Sequence, residues 1–224
     1  TGYTTALVAQ YFGAGQKNRT TMVAFQSIII AFVAYPIILL CRPLALGYFN
    51  FMQIPANQLR FQIEYFDIVL FGTLFSILRN CLSCYFSGIG RTRIVMFASL
   101  VAMVVNVTLD YFMIFGKAGF PAMGIQGAAY ATVIGSICGL LVLIFAYLSH
   151  KNRNEFAVSR SFRFDRVIMF KLLRYGYPAG LELFSNFLAF SAMVYVFHSH
   201  GPVVATATSI MFNWDMVSFI PLLG

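Results

Sequence analysis

The chain of 224 residues is 60% hydrophobic and 10% charged, with only seven acidic residues. Each carboxylate inside an apolar run therefore needs a reason. Asp110 lies deep in the apolar run 94–115, with Asn106 four residues before it, one turn away on the same helical face. A carboxylate withdrawn from water holds a proton near neutral pH, so such a group serves as a proton carrier. Its oxygens, with the Asn106 amide, are equally the hard ligands that suit a sodium ion. A plainer use is a hydrogen-bonded pair that fastens one helix to another. Ionisable groups inside a span are costly and functional by default, which puts Asp110 first among the candidates.

The remaining polar residues carry less. Glu182, and Asp215 beside Asn213 and Trp214, fall in later apolar runs. Glu64 and Asp67 are expected at the start of a helix, where the dipole favours negative charge, or on an outward cavity. Glu155 and Asp165 sit in a polar stretch and are expected to be solvated. Arg79, beside Asn80, needs a partner, a cavity or room to snorkel. His198 and His200 flank Gly201-Pro202 and read as turn chemistry. Cys81 and Cys84 form a CxxC inside an apolar run with no second Cys/His pair, so they, Cys41 and Cys138 read as small packing residues. No phosphate-binding loop, Ser/His/Asp arrangement or metal-ligand spacing occurs. Neither enzyme activity nor a cofactor is implied.

The elements that position these residues are membrane spans. Soluble domains carry about 25% charged residues, and the mean hydropathy here is +0.80. A spanning helix needs ~20 mostly apolar residues, and such runs cover 1–12 (the end of a helix), 21–41, 62–88, 94–115, 124–148, 172–198 and 203–224. They do not alternate with period two, as a membrane barrel would require. The expected fold is an all-α integral membrane bundle. Thr1 and the apolar run at each end suggest a piece of a longer protein.

Numbering the connections alternately puts eleven of the fifteen Lys and Arg on one side. These are Lys17, Arg19, Arg91, Arg93 and the seven of the stretch 149–175; Arg42, Arg60 and Lys117 fall on the other. The basic side is expected in the cytoplasm of a cell that carries the protein in its plasma or inner membrane. The net charge of +8 is thus a topology signal rather than a nucleic-acid footprint. The stretch 149–175 divides the chain into 1–148, a linker, and 176–224. Residues 150–160 read as a polar loop. Residues 162–174 read as a short interfacial helix with Phe164, Val167, Ile168 and Leu172 on one face, anchored on anionic lipid headgroups by Arg163, Arg166, Lys171 and Arg174.

Five segments carry a family resemblance. Ala9-Gln10-Tyr11-Phe12-Gly13-Ala14-Gly15 resembles the Gln-x-x-Gly-Ala-Gly close of the second helix of multidrug and toxic compound extrusion (MATE) transporters. Gly88-Ile89-Gly90-Arg91-Thr92-Arg93 resembles that family's loop after the fourth helix. Asn106-Val107-Thr108-Leu109-Asp110, continuing to Ile114-Phe115-Gly116, is similar to its fifth helix. Residues 119–129 with Ala131-Thr132 resemble the entry to the sixth, and Tyr175-Gly176-Tyr177-Pro178-Ala179-Gly180 the start of the seventh. All five occur in the family's order, on the right sides of the membrane.

The resemblance implies two six-helix lobes, of which this chain holds about helices two to eight. It implies an antiporter exporting amphipathic, often cationic, drugs or toxic compounds in exchange for H+ or Na+. Thr132 then completes a cation-coupling site with Asn106 and Asp110. Many members carry a carboxylate two turns after the seventh-helix proline. Here that position is Asn186, so Glu182 or Asp215 is left to serve the second lobe or the substrate. A flippase for lipid-linked oligosaccharides of the same superfamily is the alternative; it would want more intramembrane Arg and Lys than Arg79. A scaffold or receptor would leave the Asn/Asp pair unexplained.

Overall fold

Without water to bond it, a backbone in lipid satisfies its N–H and C=O groups internally, and a helix is the simplest way. A computed structural model of the chain describes residues 2–51, 56–117, 119, 121–156, 158, 163–199 and 201–219. Their order is α1 (Gly2–Gly13), α2 (Lys17–Leu40), α3 (Arg42–Phe51), α4 (Ala56–Gly88), α5 (Thr92–Phe115), α6 (Ile125–Leu148), α7 (His150–Phe156), α8 (Arg166–Ser199) and α9 (Pro202–Phe219). Among the described residues there is no strand, and five helices are long and apolar enough to cross a membrane: α2, α4, α5, α6 and α8. His200, Arg160, Phe162 and residues 220–224 lie outside the described residues.

The glycine motifs stop helices. Gly15 and Gly90 take φ of +72° and +75°, a left-handed turn that favours glycine. Each sits inside a six-to-one backbone bond, Gln16 N–H to Tyr11 O at 2.9 Å and Arg91 N–H to Phe86 O at 2.8 Å, the Schellman closure of α1 and α4. Gly88 has a packing role: a Cβ there would meet the Val8 side chain at 2.7 Å and the Thr5 carbonyl at 2.9 Å. These helices end together, and the core lies there, with Leu7, Val8, Val23, Tyr85, Phe86, Leu143 and Phe156 buried.

Expectations about three segments change. First, the helix expected over 62–88 begins earlier, at Ala56, and Arg42–Phe51 forms α3 ahead of it. Glu64 and Asp67 are thus beyond the first turn of α4, where the dipole has faded, and they pair with side chains instead. Second, the stretch 150–160 is not simply a polar loop. It holds α7, whose Asn152 and Phe156 are buried. Third, the interfacial helix over 162–174 does not stand apart. Residues from Arg166 run unbroken through α8, with Ile168 and Leu172 buried but Phe164 and Val167 about 60% exposed. Phe164 precedes the helix, and Val167 sits at the edge of the stripe, turned away from the packed side that takes Ile168 and Leu172.

Glu155 is not simply solvated. Its Oε1 accepts from Lys17 Nζ at 3.1 Å and its Oε2 from Arg91 Nη2 at 2.5 Å. Arg91 also donates to Asn152 Oδ1 at 3.2 Å, and Thr21 Oγ1 donates to the Phe156 carbonyl at 3.2 Å. One carboxylate therefore ties α7 to the α1–α2 and α4–α5 corners. Asp165 Oδ1 caps α8, accepting the N–H groups of Val167 and Ile168. The Lys17 hydrogen bond, with Arg91 beside it, holds the Glu155 carboxyl below the usual glutamate range. Its contribution to stability is present above the unfolded carboxyl's range, about 4.3, and is lost as pH falls through the lower folded value. Glu155→Gln is expected to melt below the unmodified protein at neutral pH, and the gap is expected to close in acid. A gap of constant size across a pH series of melts contradicts this.

The chain divides into two compact units, Thr1–Gly176 and Tyr177–Gly224. The first contains α1 to α7 and the opening turns of α8, where Lys171 Nζ reaches Tyr11 Oη at 3.3 Å. In the second, Phe190 and Phe197 of α8 pack on Phe212 of α9 with ring centroids 5.2 and 6.5 Å apart.

Candidate functional site

The site begins with a seam of small residues. On α6, Gly127, Ala131, Gly135 and Gly139 recur every four residues, which lines them along one face. Small residues let helix backbones approach closely in a membrane, and α5 takes that place. A Cβ on Gly127 would meet the Met113 backbone at 2.8 Å. One on Gly135 would meet the Ala102 carbonyl at 2.8 Å and Asn106 Cβ at 3.1 Å. Ala98, Ala102, Asn106, Asp110 and Met113 form the matching stripe on α5, at spacings of four residues and, for the last, three.

This seam brings Asn106 to Thr132. Asn106 Nδ2 donates to Thr132 Oγ1 at 3.4 Å, and Thr132 Oγ1 donates to the Ala128 carbonyl at 2.9 Å. One turn along α5, Asp110 Oδ1 is buried and meets no hydrogen-bond donor among the described residues. Asp110 is therefore not fastened to Asn106 by a hydrogen bond. With Asn106 Nδ2 turned to Thr132, its carbonyl oxygen is free to join the Asp110 carboxylate as a second hard oxygen donor. A group of three or more His, Cys, Asp or Glu that could hold a metal ion is absent among the described residues.

Other polar contacts flank this pair. Ser76 Oγ of α4 donates to Ser136 Oγ of α6 at 3.3 Å. At the end of the helices away from α7, Arg42 Nε and Nη2 reach both Asp67 oxygens at 2.6 Å, a two-pronged pair. Glu64 accepts from Arg60 Nε at 2.9 Å and Gln126 Nε2 at 3.0 Å, tying α4 to α6. A hollow of about 290 Å³ at that end is lined by Phe49, Phe61, Gln62, Tyr65, Phe66, Val69 and Ile125. No side chain charged at neutral pH lines it, and it suits an apolar moiety.

The remaining candidates belong to the second unit. Glu182 and Asn186 share a face of α8 and are exposed, as is Asp215 on α9. None of the three makes a hydrogen bond or ion pair among the described residues. Cys81 is buried with Sγ 3.5 Å from the Ser27 carbonyl, Cys84 Sγ lies 3.8 Å from Asn80 Oδ1, and none of the four cysteines is in a disulfide. Partners far apart in sequence, such as Arg42 with Asp67 and Glu64 with Gln126, escaped the sequence reading. The four-residue recurrence of Gly127, Ala131, Gly135 and Gly139 was visible in it and would have pointed to the seam.

Against known proteins, a family model described as MatE matches residues 3–112. A probable multidrug resistance protein NorM from Thermotoga maritima is 29% identical over 226 residues, covering 98% of this chain and 47% of its own length. Two solved structures of a multidrug resistance MATE family transporter of the MOP superfamily, one inward-facing and one outward-facing, are each 25% identical. Each covers 98% of this chain, with TM-scores of 0.82 and 0.84, and the matches take in 50% and 48% of those chains. The chain spans about half the length of the curated relatives it matches. The two solved structures are named as those of a transporter.

Proposed function

We propose that this chain, which belongs to the MatE family of multidrug and toxic compound extrusion transporters, supplies the ion-coupling site of a multi-pass secondary antiporter. The observation that carries the reading is Asp110 Oδ1, buried without a donor beside the Asn106–Thr132 contact. A buried polar atom left unsatisfied is unfavourable by about 1–3 kcal/mol. A proton or a sodium ion bound at Asp110 relieves that penalty. The hard oxygens of Asp110, Asn106 and Thr132 suit Na+, and the carboxylate alone suffices for H+.

The exported compounds are amphipathic and often cationic; the naming of the relatives as multidrug resistance proteins supports this class. Export against a gradient requires the ion and the compound to bind the inward- and outward-open states with different affinity. The near-equal likeness to an inward-facing and an outward-facing relative is in keeping with a lobe that keeps its shape as the protein switches. In this reading residues 1–148 form the first lobe, 149–175 the linker and 176–224 the start of the second, where Glu182, Asn186 and Asp215 are candidates to meet substrate. The end that carries α7 and most of the basic residues faces the cytoplasm.

The test follows loss of a fluorescent cationic dye from an efflux-deficient bacterial strain making the full-length protein. Efflux is expected to stop when the proton gradient is collapsed or sodium is withdrawn, according to the coupling ion. Efflux that survives both treatments contradicts antiport.

A further inference from the structure

We propose that Arg79 is an anion-recognition point for the transported compound, taking a carboxylate, sulfonate or phosphate group inside the membrane-spanning part of the first unit. The inference rests on the transport reading above and names a feature of the substrates. The span on α4 is Gln58–Gly88, centred on Thr73. At 1.5 Å per residue, Arg79 stands about 9 Å along the axis from that centre, inside a hydrocarbon half-thickness of about 15 Å. It is half-buried and makes no ion pair or hydrogen bond among the described residues. A cation so placed is costly, and in spans such groups face the bundle or a cavity and mark substrate pathways.

Snorkelling does not relieve it. Helical side chains lean toward the helix N-terminus, and α4 begins at the end away from α7. Arg79 therefore leans away from the nearer, basic surface. Its stem lies across α6 instead, with Cδ 3.1 Å from where a Cβ on Gly139 would stand. Glycine at 139 leaves room for that crossing.

The same face of α6 leads to the coupling site. Thr132, Ser136 and Gly139 follow one another at spacings of four and three residues, and Ser136 bonds Ser76, one turn from Arg79 on α4. The rise from Gly139 to Thr132 is about 10 Å, and Asp110 lies one turn beyond the Asn106–Thr132 contact. A positive and a negative group thus stand about 10–15 Å apart, joined by hydroxyls. A compound with an amine at one end and an acid at the other meets opposite charges at both. The planar guanidinium presents a fork that matches carboxylate or phosphate oxygens.

The experiment uses the full-length protein in an efflux-deficient strain and two rhodamines differing in one group: the cationic methyl ester and its zwitterionic free acid. Arg79→Met is expected to lower free-acid efflux relative to ester efflux about tenfold or more, the worth of one charge-assisted pair. Arg79→Lys is expected to recover part of that ratio. An unchanged ratio in Arg79→Met, or equal loss of both dyes that Arg79→Lys does not mend, overturns the assignment while ester export keeps the transport reading. Export of neither dye by the unmodified protein removes the transport reading, and the assignment with it. Should Arg79→Met fail to reach the membrane, Arg79→Gln, which keeps a polar side chain without the charge, and Arg79→Lys give the ratio. An unchanged ratio in both then overturns it.

Discussion

Asp110→Asn is expected to abolish the proposed ion-driven export by the full-length protein, to the level of cells lacking it, while the amount in the membrane stays the same. The amide keeps the shape of the carboxyl but takes up no proton and carries no charge for a sodium ion. Asp110 Oδ1 receives no hydrogen bond among the described residues, so the replacement breaks no hydrogen bond at that atom. Removing an ionisable group from a buried position relieves a desolvation penalty, so the melting temperature is expected to hold or rise. Efflux rates and thermal melts of the purified protein check both halves. Undiminished efflux in the variant removes Asp110 from the coupling site.

Gly135→Val is expected to lower the melting temperature and to abolish export together. Its first added carbon meets the Ala102 carbonyl at 2.8 Å and Asn106 Cβ at 3.1 Å. A backbone carbonyl on a packed helix cannot turn aside as a side chain can, so α5 has to move off α6. Overpacking of this kind costs about 1–3 kcal/mol, and the displacement breaks the Asn106–Thr132 contact on the same seam. Gly13, where a Cβ would find nothing within 4 Å, is the control: Gly13→Ala is expected to leave both properties close to those of the unmodified protein. A Gly135→Val protein with an unchanged melting temperature contradicts the close-packed seam.

The spans were legible because lipid imposes one rule on every residue they contain, and a long apolar run leaves a helix as the simplest solution. Asn106 and Asp110 were placed on one face by their spacing alone. Thr132 was reached only through the family resemblance, since nothing in the run 124–148 marks it from within. The helix over His150–Phe156 was hidden because HKNRNEF reads as polar. Its burial depends on Phe156 and on an Asn152 amide satisfied by Tyr147, Tyr85 and Arg91, partners that only the fold assembles. The same holds for Asp67, whose guanidinium partner Arg42 lies on another helix. Spacing rules reach one or two turns along an element, so a contact between elements stays invisible until their seam is known.

The most direct test of ion-coupled export through Asp110 is made in proteoliposomes holding the purified full-length protein. A dye gradient is imposed across the membrane while H+ or Na+ movement is recorded in the other direction. Dye moving down its gradient is expected to drive one of these ions the opposite way, and Asp110→Asn is expected to remove that ion flux. Dye movement without ion flux, or ion flux undiminished by Asp110→Asn, contradicts the account.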